Sequence, residues 1–331
     1  MRTTVLLLSV DEAPMLERSL PAAVSQEGAD VVVVDNACTD ATPELAERHG
    51  ARLLRLTEAE GVLDRRELVM SSDHTPPARR SYAAAMNEAI ARTGGDAVLL
   101  LNADCFLEPD FLAAARPRLE EPRVCSVAPK LLRVENDGEI DAAGMGIDRR
   151  RKNGLVGHGR PASAFSRSAE VFGADGAAAL YRREALEACA IEGEVLDEDM
   201  GLWATDADLA WRARLQGWRC LYEPRAVARH VRTYSPSTRA TVSEAHRRLQ
   251  FRNRLVMVAK NETPRGLLQD LPHLALYEAL ALGHALLRER CLLGGYAEAA
   301  RLLAGARRRR AVVQARRVVE RPPFGLTPPD L

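Results

Sequence analysis

Asp35, Asp104, Asp206, Asp208 and His230 are the residues of this chain whose types and spacing could do chemistry. Two of the acids end apolar runs. Val31-Val32-Val33-Val34 stops at Asp35-Asn36, and Ala97-Val98-Leu99-Leu100-Leu101 stops at Asn102-Ala103-Asp104. Uninterrupted runs of this kind read as strands buried on both faces. Ligands of open α/β sheets gather at the carboxyl ends of strands, so both acids are sited for a cation or a charged substrate. A hard cation such as Mg²⁺ or Mn²⁺ takes oxygen ligands, often one or two carboxylates plus substrate phosphates. One acid per strand end is too little to hold a metal alone. The pattern therefore suits a nucleotide-diphosphate substrate better than a structural ion. Asp206 and Asp208 fall at a helix start within Trp203-Ala204-Thr205-Asp206-Ala207-Asp208-Leu209-Ala210-Trp211-Arg212, and His230 follows a short strand. Transfer to a hydroxyl needs a base, which a carboxylate can supply; an acid at a helix start can also be only its cap. We assign Asp206 to the chemistry and Asp208 to helix support, a choice the spacing does not force.

The elements that must position these residues alternate at first between strand and helix. Strands are expected over residues 3–10, 31–34, 51–56 and the run ending at Asp104. Helices are expected over 14–26, from Thr39-Asp40-Ala41-Thr42 to Gly50, and over 80–93. Residues 58–80 read as a polar loop. This order predicts a three-layer α/β fold with a mostly parallel sheet. After a helix at 111–119 and a strand at 124–132, residues 135–170 are glycine-rich and charged, without periodicity. A strand over 177–181, helices over 183–189 and 206–216, and short strands over 219–222 and 226–229 follow. From Val242 the chain reads as helical, with interruptions near Pro264, Pro272 and Gly294-Gly295.

Composition narrows the class. The 331 residues are 47% hydrophobic and 28% charged, enough for one large domain with an appendage. The 46 basic and 46 acidic residues cancel, which argues against a nucleic-acid binder. Six cysteines show no paired spacing and read as reduced thiols. No signal peptide and no run of roughly 18 apolar residues is found, so a cytoplasmic protein is expected.

Longer segments then resemble a known family. Val33-Val34-Asp35-Asn36 with Thr39-Asp40 is similar to the V-D-N-x-S-x-D-G-T segment of inverting family-2 glycosyltransferases. Leu100-Leu101-Asn102-Ala103-Asp104 resembles their L-L-N-P-D acid motif. Asp141-Ala-Ala-Gly144 with Gly154 and Gly157, and Ala174-Asp175-Gly176 through Arg182-Arg183, resemble the bacterial rhamnosyltransferase-like branch. Leu196-Asp197-Glu198, Thr205-Asp206-Ala207-Asp208-Leu209-Ala210-Trp211-Arg212 and Arg252-Asn253 resemble its later motifs.

The resemblance implies a GT-A fold over residues 1–240, with a nucleotide-sugar half to about 120 and an acceptor half beyond it. Residues 241–331 would be a helical region with a basic tail. It implies a donor pocket built on Ser9, Asp11, Asp35, Asn36 and Arg80, together with Asn87, Asn102 and Asp104. Asp104 and His230 would hold Mg²⁺ or Mn²⁺. Asp206 would be the base of a single inverting displacement, with Asp175, Trp203, Thr205 and Asp208 around the acceptor. The implied partners are a dTDP- or UDP-sugar donor and a glycan or lipid-linked acceptor of bacterial polysaccharide or cell-envelope synthesis.

Some positions depart from the family pattern. Thr205 stands for the usual Glu, Asp11-Glu12 for a common nucleotide contact, and Asn87-Glu88 for an Asn-Gly turn near the donor. Two other readings were weighed against sugar transfer. A nucleotidyltransferase would need a glycine- and lysine-rich first loop, whereas Ser9-Val-Asp-Glu-Ala-Pro14 is acidic. A catalytically impaired sugar-nucleotide-binding or scaffold protein of the same fold is the alternative, motivated by Thr205 and Glu88. In the last third, Leu267 to Leu303 carries leucines and alanines at helical spacing beside an arginine cluster. A peripheral contact with the inner face of the plasma membrane competes there with a helical hairpin packed on the catalytic domain. Interrupting acids at Asp270, Glu278, Glu289 and Glu298 favour packing.

Overall fold

The computed structural model describes residues 1–56, 79–232 and 241–325. Of the expected loop at 58–80, only Arg79 and Arg80 fall within them. The chain begins β1 (Thr3–Ser9), α1 (Ala13–Val24), β2 (Ala29–Asp35), α2 (Thr42–Arg48), β3 (Arg52–Arg55), α3 (Tyr82–Ala91) and β4 (Ala97–Asn102). β5 (Cys105–Leu107), α4 (Phe111–Ala115), β6 (Val124–Arg133), β7 (Asn136–Ala142), β8 (Met145–Ile147) and β9 (Asn153–Leu155) follow. Then come β10 (Ala169–Val171), β11 (Ala178–Arg182), α5 (Arg183–Cys189), α6 (Thr205–Leu215) and β12 (Arg219–His230). α7 (Glu244–Asn261), α8 (Pro264–Leu287) and α9 (Cys291–Ala315) close the order.

The main sheet runs β10-β12-β6-β11-β4-β1-β2-β3. β1, β2, β3 and β4 are mutually parallel, as the strand–helix alternation predicts. β11 is inserted antiparallel between β4 and β6, so the sheet is mixed. The apolar run of β4 explains its central place. Val98 and Leu100 pack with Ala85, Met86 and Ala89 of α3 on one face. Leu99 and Leu101 pack with Leu16 and Leu20 of α1 and Phe111 and Leu112 of α4 on the other. A third core joins Trp211 of α6 to Met257 of α7 and Val313 of α9.

Four expectations about elements are corrected. The stretch from 135 to 170 holds β7 to β10, strands too short and irregular to leave a period. Gly144 there has φ +93, and a Cβ on it would meet Val171 Cγ2 at 2.8 Å. Residues 219–229 form one strand with a register shift between Glu223 and Val227, rather than two. Pro272 does not interrupt α8. The carbonyl that its missing N–H frees belongs to Leu268, which is exposed and can bond water. Gly294 and Gly295 lie inside α9 at its closest approach to α7, where added Cβ atoms would meet Arg248 Cδ at 2.8 Å and Phe251 Cδ1 at 3.1 Å.

Candidate functional site

Strand register builds the carboxyl edge of the sheet. Ser9 is opposite Asp35 across β1 and β2, and Leu8 is opposite Asn102 across β1 and β4. Ser9, Asp35 and Asn102 therefore share one edge, and each is followed by a loop. The loops are tied by their own acids. Asp35 Oδ1 accepts from Cys38 N at 2.7 Å, and Asp11 Oδ1 accepts from Thr39 N at 2.6 Å. Asp11 also pairs with Arg79. The Asn36 carboxamide exchanges both hydrogen bonds with the backbone of Arg80, at 3.0 Å each, while Arg80 Nε reaches Glu88 at 2.9 Å. Ser9 Oγ is spent on Thr42 Oγ1 at 2.9 Å.

At the other end of this edge, β5 returns antiparallel to β12 and sets His230 opposite Cys105, beside Asp104. His230 Nε2 stands 3.4 Å from Asp104 Oδ1, and its Nδ1 stands 2.9 Å from Asp141 Oδ2. Asp141 is fully buried. It also accepts from Arg232 Nε at 2.8 Å and Nη2 at 2.7 Å, and Arg232 reaches on to Asp175 at 3.2 Å. Burial alone would raise the Asp141 carboxyl, but His230 and Arg232 outweigh it and hold it at about 2. Burial pushes the His230 imidazole down, yet its bonds to Asp104 and Asp141 win and hold it up at about 9. On the far side of Asp104 lies Glu12. Burial and the charges of Asp104 and Asp40 push its carboxyl up to about 7.

Once His230 gives up its Nε2 proton, the Asp104–His230 pair offers an oxygen and a nitrogen donor that suit a divalent cation. Nδ1 is committed to a carboxylate, which leaves Nε2 aimed at the Asp104 oxygen. Outer carboxylates orient ligating histidines in this way. Asp11, Cys38 and Asp40 form a second cluster, with ligand atoms within 4.8 Å of one another. Its carboxylates are already spent on backbone N–H groups, Asp40 on Ala13 N at 2.7 Å and on Thr42 N at 3.1 Å. Burial also pushes the Cys38 thiol up, which disfavours the thiolate that ligation needs. This cluster locks the first two loops together.

Asp206 lies in the first turn of α6, whose cap position is Ala204. It is therefore not the helix cap. Its Oδ2 accepts from Gly176 N at 3.1 Å, and its Oδ1 accepts from Ala207 N at 2.8 Å. Burial, then the neighbouring Asp175 charge, push the Asp206 carboxyl up to about 6. Asp175, whose Oδ1 caps Ala177 N at 2.9 Å, repels the Asp206 charge while its other oxygen is held by Arg232 of the Arg232–Asp141–His230–Asp104 chain. The turn before α6 is strained, with Trp203 at φ +65 and Ala204 at φ +57, a region that non-glycine residues rarely adopt. Asn253 of α7 holds it, donating to the carbonyls of Met200 at 2.9 Å, Leu202 at 2.6 Å and Trp203 at 3.0 Å. Thr205 is buried at the first helical position.

Other expected site residues have structural work instead. Asp208 points away from Asp206 into a closed network with Arg212 at 2.9 Å, Lys260 at 2.9 Å and Asn261 at 2.7 Å. Its carboxylate is spent within that network, which supports the helix. Asn87 and Glu88 lie inside α3 rather than on a turn. The Asn87 carboxamide is spent on the backbone of Leu196, with both bonds at 2.8 Å. Arg182 and Arg183, which end the segment quoted for the resemblance, donate to the backbone carbonyls of Val124 and Gly95, at 3.1 and 2.8 Å.

Sequence reasoning missed Asp141 and Arg232. Asp141 stands in the aperiodic stretch, where only the glycines that follow it carry a pattern. The signal available was the His230-Val231-Arg232 pair of cations at a strand end, which requires a carboxylate nearby.

The family model of glycosyltransferase-like family 2 matches residues 2–253. The mannosyltransferase PcManGT of Pyrobaculum calidifontis, solved with GDP-Man and Mn²⁺, superimposes with a TM-score of 0.52. That match has 21% identity and covers 95% of this chain and 85% of the other. S. aureus TarS 1-349 in complex with UDP-GlcNAc gives a TM-score of 0.58 at 17% identity, covering 95% and 91%. GalNAc-T7 with UDP, GalNAc and Mn²⁺ gives 0.57 at 13% identity, covering 78% of this chain and 48% of that one. Among curated proteins, a TPR repeat-containing protein of Synechococcus elongatus is 31% identical over 125 residues, 38% of this chain and 25% of its own length. The fold is the GT-A fold, and the chain belongs to glycosyltransferase-like family 2.

Proposed function

We propose that this chain moves a sugar from a nucleotide-diphosphate donor, a dTDP- or UDP-sugar, to a hydroxyl acceptor in bacterial polysaccharide or cell-envelope glycan synthesis. Residues 1–240 are read as the catalytic domain, with the donor on its first half and the acceptor on its second. The observation that carries the reading is the carboxylate of Asp206, lifted to about 6 by burial and by neighbouring Asp175, from which bonded contacts run through Arg232, Asp141 and His230 to Asp104 at the sheet edge.

A base with that pKa is ionised at neutral pH yet basic enough to accept a proton. The acceptor oxygen forms its bond to the anomeric carbon as the bond to the diphosphate breaks, and its proton passes to Asp206. One displacement inverts the anomeric centre. Gly176 N and the first turn of α6 fix the carboxylate for this step. Asp104 and His230 would hold Mg²⁺ or Mn²⁺, which when bound supplies positive charge for the departing diphosphate. PcManGT and GalNAc-T7 were solved with Mn²⁺, which supports a divalent ion here. A lipid-linked acceptor would bring the C-terminal helices to the inner face of the plasma membrane.

Release of nucleoside diphosphate from a panel of sugar nucleotides, with bacterial envelope glycan as acceptor, tests the reading. Wild type is expected to turn over and Asp206→Asn to bind donor without turnover. Full turnover by Asp206→Asn removes the base.

A further inference from the structure

α8 is amphipathic in the wrong sense for a helix that merely packs. Over its 24 residues the buried positions are Gly266, Asp270, Leu274 and Ala285. Its large leucines face outward instead: Leu268 is 75% exposed, Leu276 63%, Leu280 64% and Leu287 83%. Leu267, Leu271, Leu282 and Leu286 are exposed beside them at helical spacing. At 1.5 Å per residue this stripe is about 30 Å long, a run of exposed leucines rather than single scattered ones.

Polar contacts, rather than a core, hold the helix to the protein. Asp270 takes Arg149 at 2.7 Å, Arg151 at 2.9 Å and Arg321 at 2.7 Å. Glu278 pairs with Arg254 at 2.6 Å, and Glu289, just beyond the helix, pairs with Arg247 at 2.5 Å. Each acid of this segment is thereby paired: Asp270 is buried among its arginines, the half-exposed Glu278 lies on Arg254, and Glu289 also meets His284 at 3.1 Å. The polar residues left outward are Arg265, Gln269, His273, His284, Arg288 and Arg290. Arginines thus stand at both ends of the stripe, and among the described residues each carboxylate near it has a cationic partner.

We propose that α8 lies in the plane of an anionic lipid bilayer, its leucines among the acyl chains and its arginines at the headgroups. An apolar face with cationic flanks is what such an interface binds. A second copy is the poorer occupant, because antiparallel pairing would set Arg265 against Arg288 and Arg290 of like charge. None of the helices among the described residues is long and apolar enough to cross a membrane, so α8 would lie on the surface. That the bilayer carries the acceptor rests on the transfer reaction proposed above; the binding itself rests on α8 alone.

Flotation of the full chain with vesicles tests this. One set is phosphatidylcholine, the other contains about one-third phosphatidylglycerol. Wild type is expected to float with the anionic vesicles and not with the neutral ones. Leu276→Glu/Leu280→Glu should lower the bound fraction about tenfold, and Arg288→Glu/Arg290→Glu should lower it too, both with wild-type melting and wild-type binding of sugar nucleotides. Wild type that stays unbound to both vesicles overturns the proposal. So does a leucine variant that floats like wild type, or a wild-type dimer that the leucine substitutions dissociate. Loss of sugar-nucleotide binding by wild type would instead count against the transfer reaction and leave the lipid result standing.

Discussion

Asp141 accepts a hydrogen bond from His230 Nδ1 at 2.9 Å from a fully buried position, with Arg232 bound to the same carboxylate. This contact fixes the ring so that Nε2 faces Asp104. Asp141→Asn keeps the shape but removes the charge that orients both cations. The affinity for Mn²⁺ in the presence of nucleotide, read by titration calorimetry, should fall by about 10- to 100-fold. An unchanged affinity would mean that His230 is oriented by another group.

Asp206 gives a prediction with two opposite signs. Its folded pKa of about 6 lies above the ordinary 3.8. Its protonated form is therefore favoured by folding, a contribution present below 3.8 and lost as pH rises through about 6. At pH 7.5 the ionised group costs stability, and Asp206→Asn should raise it by about 1–3 kcal/mol in denaturant unfolding. The same substitution should lower turnover by at least about 100-fold, and wild-type activity should climb as pH passes about 6. A variant both less stable and inactive would make Asp206 a structural acid.

Asn253 is expected to matter for rate more than for donor affinity. Its carboxamide holds three carbonyls of the strained turn that delivers Asp206. Asn253→Ala should cost about 1–3 kcal/mol of stability and lower kcat, with KM for the donor nearly unchanged. A rise in KM with kcat intact would place its effect on the donor instead.

The His230 imidazolium makes metal-free stability depend on pH. Held at about 9, above the ordinary 6.5, it contributes stability that is full below 6.5 and lost as pH rises through 9. Melting temperature without metal should therefore fall between pH 7 and pH 9.5, and less so in His230→Asn. Parallel pH curves for the two proteins would contradict the charged imidazole.

The first half of the fold was legible because its strands are buried on both faces. Val31 to Val34 and Ala97 to Leu101 carry that burial as unbroken apolar runs, and their terminal acids lie on the edge where ligands gather. The middle of the chain was illegible for the opposite reason. β7 buries only the end of its run, Ile140 to Ala142, and so leaves no period, which hid Asp141. Asp208 and Asn87 show the other limit. Each is polar and suitably spaced for a site, but a partner distant in sequence, Lys260 or Leu196, decides its role. The arginine cluster reads likewise. Arg309 is bound into Glu194, Asp197 and Asp199, and Arg310 into backbone carbonyls at the end of α7, so much of the apparent basic tail is structural.

Melting of wild type and Asp104→Ala against UDP-, dTDP- and GDP-sugars, with and without Mn²⁺, tests the central claim most directly. A ligand that binds only the folded state raises its stability as RT ln(1 + [L]/Kd), so even a weak donor registers. At least one sugar nucleotide should raise the melting temperature of wild type in Mn²⁺, and Asp104→Ala should lose that shift. No shift with any donor, or an equal shift in the variant, would contradict a metal-assisted sugar-nucleotide site at Asp104.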